Sequence, residues 1–166
     1  MEHHRGRFTL HAAVLLDVEP GRVRAILRQF DNLPRLTPSI QRVEVLDDPG
    51  GRAPVWLRLD AANCVLWFCL DYHWVQQVVF AANGDILTRF DPARSDFHHG
   101  RVHYQIEAVA QGSRLITDAE LEPAFWLPPL VGPALVRRRL EREALATARR
   151  IEMLAAEKGQ QNPRVP

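Results

Sequence analysis

The sequence predicts an α+β domain: a curved antiparallel sheet wrapped around one long C-terminal helix, with two short helices after the first strand. Three observations predict it. From Ile40 to Leu121, apolar and polar residues alternate in run after run, each closed by a turn, which is the pattern of strands with one buried face. Between Pro133 and Lys158 the period changes. Val136, Leu140, Ala144, Thr147, Ile151 and Leu154 then fall on one narrow helical face, while Arg138, Arg142 and Arg149 point away. The centre of that face is small, Ala144 and Thr147, where a helix filling an ordinary core would carry Leu or Phe. A helix with bulky ends and a small middle can lie across a concave sheet and leave space beneath it.

The elements follow in order. Phe8, Leu10, Ala12, Val14 and Leu16 share one face of the first strand, which Glu19-Pro20-Gly21 breaks. Val23, Ile26, Leu27 and Phe30 sit at helical spacing, so a short helix covers Pro20 to Phe30; Asp31-Asn32-Leu33-Pro34 ends it and starts a second brief turn, closed by Thr37-Pro38. Ile40 to Leu46 is a strand and Asp47-Asp48-Pro49-Gly50-Gly51 the turn after it. Val55, Leu57, Leu59 and Ala61 line one face of the next strand. Leu66, Phe68, Leu70, Tyr72 and Trp74 line one face of a longer one, with Asp71 and His73 on its other side. Asn83-Gly84 is the strongest hairpin signal in the chain, since both residues tolerate positive φ. Ile86, Thr88 and Phe90 precede an Asp91-Pro92 break. Val102, Tyr104, Ile106 and Ala108 form the next inward face, and Gln111-Gly112-Ser113 turns into the last strand, with Leu115, Thr117, Ala119 and Leu121 inward. Gly132-Pro133 starts the long helix, and Gly159 with the polar, Pro-containing residues up to Pro166 reads as its stop and a flexible tail. The sum is one strand, two short helices, about six more strands and a long helix.

At 166 residues, residues 1–166 suit a single domain, with its core from 8 to 158. A formal net charge of +1 gives no general attraction to nucleic acid. Met1-Glu2-His3-His4-Arg5 lacks the apolar stretch of a secretory signal, and no apolar run is long enough to span a membrane, so a cytoplasmic location is expected. Cys64 and Cys69 are five apart; on one extended strand they face opposite sides, so two reduced thiols are expected.

The order of elements resembles the START-like (SRPBCC) superfamily, the helix-grip fold of polyketide cyclases, coenzyme-Q-binding proteins and birch-pollen allergen. The residues that carry the resemblance are the opening, Glu19-Pro20-Gly21-Arg22-Val23 with Phe30-Asp31-Asn32-Leu33-Pro34, and the lead-in to the long helix, Trp126-Leu127-Pro128-Pro129-Leu130. It spans Phe8 to Glu157. Members share a cavity rather than a reaction, so the resemblance implies fold and an internal cavity, not a chemistry.

On that basis Phe68, Leu70, Tyr72, Trp74, Thr88, Phe90, Tyr104, Thr117, Leu140, Ala144 and Thr147 are expected to wall a ligand cavity. Its inward Tyr and Thr residues can orient one polar head group, or be satisfied by backbone and buried water. From pattern alone, the same apolar stripes would simply fill a core. Phe125 and Trp126, in the Pro-rich segment before the helix, read as a lid that touches ligand or a membrane surface, or as a rigid connector. Arg137-Arg138-Arg139 opens the helix against the dipole preference; an anionic ligand, membrane phosphates or RNA would explain it, and so would a solvated face paired with Glu141 and Glu143. His98, His99, His103 and the Asp71/His73 pair do not share the spacing of a zinc site, so no metal is expected. No nucleophile elbow or phosphate-cradling loop is present, and Asp60, Asp71, Asp118 and Glu120 fall on the outward parity, so neither cofactor nor catalytic pair is expected.

Three functions remain. The first is a non-enzymatic carrier or chaperone for a hydrophobic small molecule such as a lipid, an isoprenoid quinone or a polyketide-like compound. The second is a cyclase or aromatase acting on a poly-β-keto chain, with Tyr72, Tyr104 and His98 the residues to test. The third is a ribosome-associating, toxin-like protein, against which the near-neutral charge argues.

Overall fold

The computed structural model describes residues 2–4, 6–48, 54–65, 68–125 and 132–160. Eight strands form one antiparallel sheet: β1 (Glu2–His4), β2 (Arg7–Leu16), β3 (Ile40–Asp47), β4 (Val55–Val65), β5 (Phe68–Phe80), β6 (Ile86–Phe90), β7 (Phe97–Ala108) and β8 (Ser113–Pro123). Their order across the sheet is β1-β2-β8-β7-β6-β5-β4-β3. Consecutive strands from β3 to β8 are therefore neighbours, and the chain crosses from one edge to the other once, between β2 and β3. That crossing is made by α1 (Pro20–Leu27) and α2 (Leu33–Leu36). The last element is α3 (Gly132–Gln160). This is the helix-grip architecture expected from the two periodicities, with one strand more than expected, because Glu2–His4 pairs with the start of β2.

Local chemistry fixes the joints. Pro20 stands in the first turn of α1, where its missing N–H has no partner to lose. Buried Asn32 donates from Nδ2 to the Ile26 carbonyl at 3.2 Å, a carbonyl of the last turn of α1 that also accepts from the Gln29 N–H. Thr147 Oγ1 and Arg150 Nη1 of α3 donate to the Leu36 carbonyl at the end of α2, at 3.1 and 3.2 Å, which ties the long helix to the crossing. Gly84 adopts φ of +90° in the β5–β6 turn, the conformation that the Asn83-Gly84 pair predicts.

The core has two parts. Under the C-terminal half of α3, Ala148, Ile151, Leu154 and Ala155 pack with Leu16, Val23, Ile26, Leu36, Ile106 and Leu115. Across the other half of the sheet, Ile40, Val55, Leu57, Leu59, Val78 and Ile86 form a second cluster. Leu27 and Tyr104 pack against both. Arg138, Arg142 and Arg149 are exposed on the outer face of α3, as the periodicity predicts.

Three expectations are corrected. Cys64 and Cys69 are bonded to each other, with their Cα atoms 4.0 Å apart. They do not lie along one strand: β4 runs on to Val65 and β5 begins at Phe68, so the two cysteines are opposite partners in an antiparallel hairpin. Disulfides persist in oxidising surroundings, so cysteine usage lends nothing to a cytoplasmic location. Among the described residues, no helix is long and apolar enough to cross a membrane. Second, α3 runs through Gly159 to Gln160, so Gly159 does not stop it; residues 161–166 of the expected tail lie outside the described residues. Third, His98 does not face the concave side. A register shift between Phe97 and His99 turns Phe97 inward and leaves His98 exposed. The expected turn at 49–51 also lies outside the described residues.

Candidate functional site

Between the sheet and α3 lies a cavity of about 270 Å³. Its floor is the concave sheet, one side chain in two from β2, β4, β5, β6, β7 and β8; its end wall is Leu27, Phe30, Leu33 and Leu36 from the crossing; and Glu143, Ala144 and Thr147 of α3 roof it. The small side chains at 144 and 147 set the depth. One turn further along, Ala148 and Ile151 are buried in the packed core. The helix thus passes from roof to core within two turns.

Of the residues that the sequence singles out, Tyr72, Trp74, Thr88, Phe90, Tyr104, Thr117, Ala144 and Thr147 lie on the cavity wall. Leu70 is half-buried and, against expectation, is not on that wall. The side chains of Phe68 and Leu140, like the whole of Trp126, lie outside the described residues. Phe125 is placed at the aromatic end of the cavity, its ring 5.7 Å from Tyr72 and 5.8 Å from Phe97 between centroids.

That end is a continuous aromatic wall. Trp74 stacks on Phe90 at 5.6 Å, and Phe97 meets Phe90 edge to face at 5.3 Å. Gly100 makes this possible, since a Cβ there would lie 2.0 Å from Cδ2 of Phe90. Polar groups on the wall are mostly engaged. Asn63 Nδ2 donates to the Tyr72 hydroxyl at 2.5 Å, Trp74 Nε1 donates to Gln76 Oε1 at 2.9 Å, and Thr147 is held by Leu36. Thr88 makes only a long 3.5 Å contact to the Val102 carbonyl. Tyr104 is part-buried, and burial pushes its phenol above its ordinary pKa of 10.0.

Among the wall residues that sequence reasoning did not place there are Phe97, Gln76, Val78 and Glu143. Phe97 is on the wrong parity because of the bulge at its side. Gln76 and Val78 continue the inward face of β5 past Trp74, a signal that the alternation carries. Glu143 lies next to Ala144 at the edge of the helical face and reads as solvated by its charge. The acids Asp60, Asp118 and Glu120 are on the outer face, with Arg58, His11 and Arg101 at 3.2, 2.6 and 2.8 Å.

The family model described as "Polyketide cyclase / dehydrase and lipid transport" matches residues 7–154. Among solved structures, the chain is similar to the Zhui aromatase/cyclase of Streptomyces sp. R1128, with a TM-score of 0.72 and 15% identity over 92% of this chain and 95% of that one. It is similar to TTHA0849 of Thermus thermophilus, with a TM-score of 0.74 and 14% identity over 90% and 98%. A START superfamily protein of Mycobacterium smegmatis gives a TM-score of 0.71 and 21% identity over 88% and 98%. These likenesses concern the fold. No curated protein matches the sequence.

Proposed function

This chain belongs to the polyketide cyclase / dehydrase and lipid transport family, and from that premise we propose that it binds a hydrophobic small molecule in the cavity between sheet and α3, as a carrier or chaperone. The observation that carries this reading is the apolar-lined space itself, with the small Ala144 and Thr147 of α3 over it. The driving force is apolar burial, about 0.8 kcal/mol for each CH₂ removed from water. At about 270 Å³ the cavity is near the lower end of ligand sites, which run from about 300 to 1,000 Å³, so a ring system or a short chain fits inside and a long isoprenoid tail extends past the aromatic end. Phe125 packs there and is positioned to contact the emerging part.

Transient contact with a membrane surface belongs to the same reading. Leu145 and Met153 are exposed on the outer face of α3 beside Arg142 and Arg149, a mixture that anionic lipid attracts.

The test is native mass spectrometry of the purified protein, followed by organic extraction and identification of what is released. A non-covalent apolar adduct supports the reading. A chain that carries nothing and takes up none of a panel of apolar compounds offered in excess contradicts it.

A second reading, a cyclase acting on a poly-β-keto chain, is favoured by one observation. Glu143 brings a carboxylate to the wall that also holds Tyr104, so a proton acceptor and a phenol share the cavity. Conversion of an offered poly-β-keto compound, lost in Glu143→Gln, supports it; unchanged conversion in that variant removes it.

A further inference from the structure

The sheet brings two hydroxyls together inside the cavity and gives them no partner. Tyr104 on β7 and Thr117 on β8 are direct cross-strand neighbours, and both side chains are on the cavity wall. Directly opposed side chains on one face of an antiparallel pair have Cβ atoms about 4.5–5.5 Å apart, so the two hydroxyls open onto the same part of the cavity. Among the described residues, neither hydroxyl has a hydrogen bond. Both residues are part-buried, so their hydroxyls open onto the cavity rather than onto packed protein. Two adjacent unpaired hydroxyls therefore mark the place where a bound molecule supplies the acceptor.

The surroundings restrict what that molecule is. No lysine, arginine or histidine lines the cavity among the described residues, and the one charged side chain on its wall is Glu143. A carboxylate entering here would lose its water with no cation to replace it, and would sit in the same cavity as an acid. A carbonyl oxygen suits the site. It is uncharged, it has two lone-pair directions, and each hydroxyl has one O–H to donate. The stacked Trp74 and Phe90 rings supply flat apolar surface for a conjugated ring beside it.

We infer that Tyr104 and Thr117 form a carbonyl-binding subsite, which selects compact neutral keto or quinoid compounds and excludes carboxylates of the same size. This rests on the ligand-binding reading of the cavity and adds its selectivity. Recognition is by two neutral hydrogen bonds, so discrimination between a ketone and a hydrocarbon is modest, while discrimination against an anion is strong.

The test is equilibrium dialysis of three probes of one size, 1,4-naphthoquinone, 1-naphthoate and naphthalene, against the wild-type chain, Tyr104→Phe and Thr117→Val. Both cysteines are tied in the disulfide, so no thiol is present for the quinone to alkylate. Wild-type protein binds the quinone best and the naphthoate worst. Each variant weakens quinone binding by about three- to tenfold, the value of one neutral hydrogen bond, and leaves naphthalene unchanged. Naphthalene binding with no preference for the quinone, with naphthoate bound as well as the quinone, or with both variants behaving as wild type, overturns the subsite and leaves the cavity reading standing. Failure of every probe to bind, naphthalene included, overturns both.

Discussion

At the scale of the residue, Gly100 and Tyr104 make opposite demands on the cavity. Gly100 exists to leave room: its missing Cβ is where the Phe90 ring lies. Gly100→Ala forces that ring or the strand to move, and overpacking of this kind costs about 1–3 kcal/mol. A urea titration should show the loss, with Phe90→Ala in the same chain recovering part of it. Tyr104 is part-buried, and burial raises its phenol. The folded state favours the neutral phenol, so the stability it contributes is complete below the unfolded value near 10.0 and is lost as pH climbs through the raised one. Unfolding midpoints should therefore fall on the alkaline side of that value, and Tyr104→Phe should flatten the fall. The same scale shows where sequence reading stops. Phe97 and His98 exchange faces because one extra residue enters the strand between Phe97 and His99, and alternation has no way to record a bulge. Glu143 was hidden by its own charge.

At the scale of the element, α3 is two helices in one. Ile151 is completely buried and Leu154 nearly so, while Ala144 and Thr147, one to two turns before Ile151, face open space. Ile151→Ala should cost about 2–5 kcal/mol, as for other large-to-small changes in packed cores. The β4–β5 hairpin carries the disulfide, which closes a loop of only a few residues already held by cross-strand pairing. Loop-entropy stabilisation is small for so short a loop, about 2 kcal/mol, so reduction should lower the melting temperature without unfolding the chain. Thermal melts with and without reductant check this; complete unfolding on reduction would contradict it. Element type and order were legible because period 2 and period 3.6 each run long enough to be seen. The hairpin was not, since Val65-Leu66-Trp67-Phe68 has no Gly, Asn or Pro to announce a turn. From that one missing turn followed the wrong reading of both cysteines.

At the scale of the whole molecule, the sheet is too wide and too curved for a single helix to fill, and the two core clusters leave their gap where α3 is thinnest. The small centre of the helical face announced this gap in the sequence; the resemblance supplied the expectation that it stays open. What the sequence did not carry is which polar groups face the gap unpaired, because that depends on every hydrogen bond around them. The most direct measurement is Ala144→Trp, with folding stability and naphthalene uptake determined on the same preparation. A side chain that fills open space should leave stability near wild type and abolish uptake. A loss of about 1–3 kcal/mol would instead show that position 144 is packed core, and a stable variant with unimpaired uptake would show that α3 does not roof the ligand site.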